Sequence, residues 1–296
     1  MPHVRHVLLL STLVIAGCGG AEAADPGARE QAPLSDAEYQ ALVDDGAAAV
    51  KSAISGARGA DDRAALQQTL ESSASDIGEA AKQLESAKAP DAAKSSGGGA
   101  ATALAGLAEA VKKTAGRVES GEYCTAPAAL AGITRSAAAK DLRAAAKELT
   151  ASGVKAGSLA PKQARTPSVK LKNGAVLARK GGSGPGELEI ANGGDHDGVV
   201  KLVAGPKRTT VHVRKNGSAT IKQIPDGNYK VFFASGSSWD GKRNTFSRNC
   251  GFTAFDDKMK FTSGGGRYTR YTITLNPVAG GNAPSSPVDP GDFPQD

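Results

Sequence analysis

The chain has 296 residues, a hydrophobic fraction of 40% of which little is aromatic (4%), and a formal charge of +6. That length suits two domains of about 150 residues each. Its three cysteines show no CxxC or Cys/His spacing, which argues against a structural zinc site. The apolar count is mostly Ala and Val, so an Ala-rich region can build only a thin core.

Met1 to His6 carries Arg5 and no acid, and Val7 to Ala16 is an apolar run of ten residues. A membrane-spanning helix needs about 20 apolar residues. Ten therefore fit the hydrophobic stretch of a signal peptide better than a span. The segment Leu13-Val14-Ile15-Ala16-Gly17-Cys18 resembles the lipobox of bacterial lipoproteins, and the Ala/Gly-rich, Met-poor composition resembles proteins of high-GC Gram-positive bacteria. The resemblance implies a diacylglycerol on the Cys18 sulfur and cleavage between Gly17 and Cys18. The signal peptide is then 1–17, and two acyl chains hold the mature protein at the outer face of the cytoplasmic membrane. Residues 18–34 are small and polar and read as a tether. With Cys18 lipidated, Cys124 and Cys250 remain, and an exported chain meets oxidising conditions. A Cys124–Cys250 disulfide is expected.

Residues 35–153 show helical periodicity. Ser35 and Glu38 have capping-box spacing, and Tyr39, Leu42, Val43, Val50 and Ile54 then share one face. Leu66, Leu70, Ile77 and Leu84 form a second stripe, and Leu104, Leu107, Val111 and Val118 a third. A fourth holds Leu130, Ile133, Leu142 and Leu149. Stop signals lie at Gly56–Asp61, at Ala89-Pro90 with Ser95–Gly99, and at Gly121–Pro127. The pattern predicts about four helices in an antiparallel bundle.

Residues 154–167 read as a linker, and the character then changes. Val169–Leu171, Ala175–Leu177, Glu187–Ile190, Val199–Val203, Thr209–Val213, Ala219–Ile224, Tyr229–Ala234, Phe252–Phe255 and Tyr268–Leu275 are β-branched or aromatic runs divided by turns. Asn216-Gly217 is a hairpin signal, and Asp226-Gly227 is a second turn. Short strands at this spacing predict an antiparallel β-sandwich over 168–276, so the fold class is an α+β multidomain chain. Ile224-Pro225-Asp226-Gly227-Asn228-Tyr229-Lys230-Val231 resembles the hairpin of transthyretin-like and carboxypeptidase-regulatory-like β-sandwich modules, which supports the sandwich and implies no activity. Residues 277–296 are rich in Pro, Gly and Asp and read as a disordered tail.

Charge divides between the parts. Residues 25–153 hold 14 Lys+Arg against 18 Asp+Glu, whereas residues 168–276 hold 18 against 8, a net +10. Such asymmetry speaks to partners rather than to fold. Outside a Gram-positive membrane the abundant polyanions are wall polymers and lipid head groups; nucleic acid is the wrong partner for an exported lipoprotein. Lys207, Arg208, Lys242, Arg243 and Arg248 are the candidate ligand surface, with Trp239, the sole tryptophan, in a polar loop where it could stack on a sugar or partner. Other chemistry is weak. His212 lies within an alternating strand and reads as structural. Asp195-His196-Asp197 lacks the spacing of a calcium loop. Lys180–Gly186 lacks the ending of a phosphate loop, and alternation alone explains Glu187 and Glu189. No metal, cofactor or catalytic residue is expected. The sequence points to a membrane-anchored, non-enzymatic envelope module that binds anionic wall polymer or an envelope protein; the alternative is an envelope glycan- or peptide-acting enzyme without a recognisable motif.

Overall fold

The computed structural model describes residues 32–275 and 284–295. The expected signal peptide, Cys18 and most of the tether lie outside the described residues. Among those described, no helix is long and apolar enough to cross a membrane. Helices come first and strands follow, an α+β arrangement with mostly antiparallel pairing.

Five α-helices precede the strands: α1 (Asp36–Gly59), α2 (Arg63–Ser86), α3 (Lys94–Glu119), α4 (Ala126–Thr134) and α5 (Ala137–Ala151). The capping box at Ser35 and Glu38 forms as expected, and its hydrogen bonds from Ser35 hold the exposed Glu38 carboxyl below the ordinary range. Asp62 caps α2 by accepting from the Ala65 amide. The fourth expected helix is two, because Ser136 turns the chain and caps α5 through the Ala139 amide. Ser95–Gly99, expected as a break, lies inside α3. Gly97 is there for contact: a Cβ on it would fall on the Tyr39 hydroxyl oxygen. Tyr39 is fully buried, and its hydroxyl has no hydrogen-bond partner among the described residues. Burial pushes this phenol above its ordinary pKa.

Residues 154–167 are not a free linker. Ala156 and Leu159 are buried in the helical core, Arg135 Nε donates to the Ala164 carbonyl at 2.8 Å, and the Ala164 amide donates to Thr134 Oγ1 at 2.9 Å. Small apolar side chains matched to the Ala-rich helices account for this docking, which the lack of periodicity concealed.

The strands are β1 (Val176–Lys180), β2 (Gly186–Asn192), β3 (Asp197–Ala204), β4 (Lys207–Val213), β5 (Gly217–Ile224), β6 (Gly227–Asp240), β7 (Thr245–Phe255), β8 (Met259–Phe261), β9 (Ser263–Gly264), β10 (Arg267–Tyr268), β11 (Arg270–Thr274) and β12 (Ser285–Pro287). The large sheet has the order β1-β4-β3-β6-β7-β12, with β8 beside β6; β11-β2-β5 form a second sheet and β9-β10 a short ribbon. The two main sheets share an apolar cluster that includes Leu188, Ile190, Val200, Leu202, Val211, Ile221 and Val231. The expected all-antiparallel pairing fails at β2–β11, which is parallel. Asn216-Gly217 does turn the chain, with Asn216 at φ 52°. The turn is not a hairpin, however, since β4 pairs with β1 and β3 while β5 pairs with β2. It is a corner between sheets. Ile224–Val231 makes a second such corner. There Tyr229 donates its hydroxyl to the Pro225 carbonyl at 2.9 Å and meets Phe261 edge-on. Burial, aided by the Asp226 carboxylate, raises the Tyr229 pKa.

The tail is not disordered over 284–295. β12 pairs antiparallel with β7, and Phe293 enters a cluster with Val199, Ala234, Trp239 and Phe246 on the other face of the large sheet. Burying such a ring contributes about 2 kcal/mol. Residues 276–283 lie outside the described residues.

The Tyr39–Gly97 contact is testable by urea unfolding. Gly97→Ala should forgo the roughly 1 kcal/mol usually gained by replacing a helical glycine and instead destabilise. Adding Tyr39→Phe, which deletes an unsatisfied buried hydroxyl, should restore about 1–3 kcal/mol. Equal stability of the single and double variants would contradict the contact.

Candidate functional site

Cys124 and Cys250 form a disulfide, with Cα atoms 6.3 Å apart. It sits within a strip where the α3–α4 connection pairs with β7 like a strand. The Cys250 amide donates to the Gly121 carbonyl (3.0 Å), the Asn249 amide to the Glu122 carbonyl (3.1 Å), and the Cys124 amide to the Ser247 carbonyl (2.9 Å). Tyr123 and Arg248 form an isolated antiparallel bridge. The Arg248 guanidinium lies 4.9 Å over the Tyr123 ring, and Arg117 Nη1 donates to the Tyr123 hydroxyl. Glu122 pairs with both arginines at 3.3 Å. Tyr123 reaches α4 only because Gly132 carries no side chain, since a Cβ there would lie 2.7 Å from the Tyr123 oxygen.

This geometry redistributes the expected ligand surface. Arg248 is an interface residue. Arg208 Nη1 donates to the Gln295 carbonyl at 2.6 Å, holding the tail, and Lys207 Nζ donates to the Asp226 carbonyl at 2.8 Å. Only Lys242 and Arg243 of the five cations stand exposed, at the tip between β6 and β7. Asp240 shapes that tip: its side chain is buried, accepts from the Lys242 amide at 3.0 Å, and pairs with Arg243 Nη1 at 3.0 Å. The five candidates therefore do not form one patch.

Trp239 is not in a loop. It is a β6 residue, 5% exposed, packed edge-on against Phe246 at 5.1 Å, and its carbonyl accepts from the Val169 amide. Ser235–Asp240 reads as a loop because it is Gly- and Ser-rich. It is a strand because Gly236 leaves the space that Phe246 fills, beside a register shift between Ser235 and Ser237.

His212 is 1% exposed, with Nδ1 3.1 Å from the Lys172 carbonyl and Nε2 3.3 Å from Asp197 Oδ2. Asp197 also accepts from the Lys215 amide. These contacts tie the β4–β5 corner down and leave neither ring nitrogen for a substrate. Glu187 and Glu189 both face Arg270, at 3.6 and 3.5 Å. Among the described residues no three His, Cys, Asp or Glu side chains group as metal ligands.

No protein family, curated protein or solved structure matches the chain.

A cleft at the boundary between helices and sheet has no signature in the sequence. It has a volume of about 420 Å³ and is bordered by Arg63, Thr125, Lys201, Arg243, Phe252 and Phe293, among others. These six residues come from α2, the disulfide-bearing connection, β3, the β6–β7 tip, β7 and the tail. No local motif could reveal them together.

The placement of Trp239 predicts a fluorescence outcome. Emission of the native protein should be blue-shifted relative to free tryptophan, resist iodide quenching and ignore added sugars. Red-shifted, readily quenched emission in the folded protein would restore an exposed Trp239.

Proposed function

We propose that the chain is a lipid-anchored extracytoplasmic protein and a non-enzymatic binding module. The lipobox-like segment at Cys18 supports the anchor, and the residues ahead of it have the composition of a signal peptide. On this reading the helices form a bundle standing on the tether, and the sheets form a sandwich of the transthyretin-like kind that faces the envelope. Its partner is anionic wall polymer or an acidic face of an envelope protein.

The observation that carries the reading is the separation of charge within one disulfide-linked body. The strand-bearing part is +10, the helical part negative. Lys242 and Arg243 are presented at an exposed hairpin tip, and Lys215, Lys222, Lys258 and Lys260 are exposed elsewhere on the strand-bearing part. A cationic surface of this kind draws polyanions with an attraction that weakens with salt. The enzymatic alternative needs a histidine or paired carboxylates open to substrate; His212, Glu187 and Glu189 are engaged as described above, and His196 is the exposed histidine among the described residues, in the turn between β2 and β3.

Two measurements test the two halves of this reading. Metabolic labelling with palmitate should mark the protein and fail to mark Cys18→Ser. Purified anionic wall should retain the protein at low ionic strength and release it at high salt, and Lys242→Gln/Arg243→Gln should weaken retention several-fold. Retention indifferent to salt, or no retention, would count against the electrostatic surface.

A further inference from the structure

Beyond β12 the tail leaves the edge of β7 and crosses the face of the large sheet that is turned away from the second sheet. Phe293 meets Phe252 of β7 and Phe232 of β6, with ring centroids 5.1 and 6.0 Å away. Lys201 of β3, its Nζ 5.3 Å over the Phe293 ring, donates to the Pro294 carbonyl at 2.7 Å. Arg208 of β4 donates to the Gln295 carbonyl. These four strands are consecutive in the sheet, and Lys201 and Phe232 are direct partners in its register. The tail thus lies as a strap over a track of aromatic rings and cations.

The contacts are those by which sheets bind extended peptides: main-chain pairing along an edge, a pocket for one aromatic side chain, and charged donors to main-chain carbonyls. Little else holds the strap. Among the twelve residues 284–295 Phe293 alone is buried, and eight are exposed. Ordering them is opposed by their conformational entropy, which one ring and a few edge hydrogen bonds offset narrowly. Segments of this kind are the first to open. Opening would bare Phe232, Phe252, Lys201 and the edge of β7 together.

The segment that fits the bared track is the tail itself. An identical tail remakes every contact, so exchange between two chains loses none of them. Charge favours the approach: residues 284–295 carry Asp289 and Asp292 and no Lys or Arg, whereas the strand-bearing part is +10. We infer that two copies of the chain exchange residues 284–295. Each tail then pairs with β7 of the other copy and seats its Phe293 against that copy's Phe232 and Phe252. The inference rests neither on the lipid anchor nor on the exposed cationic surface.

Cross-linking tests the exchange. Thr253 and Pro287 are opposed in the β7–β12 register, a separation that suits a disulfide. Full-length Thr253→Cys and Pro287→Cys chains, mixed and mildly oxidised, can join at these two positions only across copies. Mass mapping should find that peptide pair in a covalent dimer whose yield rises with concentration. The yield should exceed several-fold that obtained when Lys222→Cys, at an exposed position of β5, replaces Thr253→Cys. Phe293→Ala then gives opposite signs in the two copies. In the Thr253→Cys chain it frees the track and should raise the yield several-fold; in the Pro287→Cys chain it removes the anchor and should lower the yield to the control level. A synthetic peptide of residues 284–296 should compete, which tests the track even if Phe293→Ala misfolds. A yield no higher than the control, or the same change whichever copy carries Phe293→Ala, would overturn the exchange. Equal competition by a scrambled peptide would assign the track to extended segments of other proteins and reject exchange between copies.

Discussion

The attachment of the helices to the sheets centres on one strip of chain, Gly121 to Cys124, pairing with β7. Three main-chain hydrogen bonds, a stacked Arg248–Tyr123 pair and a disulfide converge there. The cross-link joins residues 126 apart in sequence. Closing so long a loop stabilises by about 4–5 kcal/mol in the loop-entropy model, a model that calorimetry disputes. An Ala-rich helical core buries less apolar area per residue than one built on Leu and Phe. Attachment to the aromatic-rich strands offsets that deficit.

The same strip creates the cleft. Thr125 follows Cys124 directly, and its neighbours on the wall come from α2 and from the β6–β7 tip. The cleft exists only because the helices are fixed against the sheet at that point. Its closure by the tail depends on β12 extending β7 and on Phe293 sitting between Phe232 and Phe252, with ring centroids 6.0 and 5.1 Å away. An edge strand left bare invites pairing with other chains; here the chain's own terminus covers it.

Much of this architecture was legible in the sequence, and the failures have physical causes. The Ser35–Glu38 capping box, the apolar stripes and the pairing of Cys124 with Cys250 were readable because each rests on local chemistry or simple counting. Gly97 and Gly236 misled for one reason: glycine signals both flexibility and close approach, and only the partners Tyr39 and Phe246 decide between them. Asn216-Gly217 was correctly read as a turn, yet a turn does not say which strand the chain will pair with next. The tail was misjudged because its composition is that of a linker, while Phe293 and the pairing of β12 with β7 dock it. Arg208 and Arg248 looked like surface charge, since sequence gives no hint that a guanidinium will meet a main-chain carbonyl or an aromatic face. The Arg63–Thr125 cleft was invisible because its walls come from distant segments.

Helices and sheets form one body through the Gly121–Cys124 pairing with β7. Native-state hydrogen exchange at the amides of Cys124, Asn249 and Cys250 tests it most directly. These three amides should be strongly protected and should exchange together with the core of the large sheet. Exchange at unprotected rates, while the helical and strand cores stay protected, would show that the two parts are merely tethered and would contradict the account.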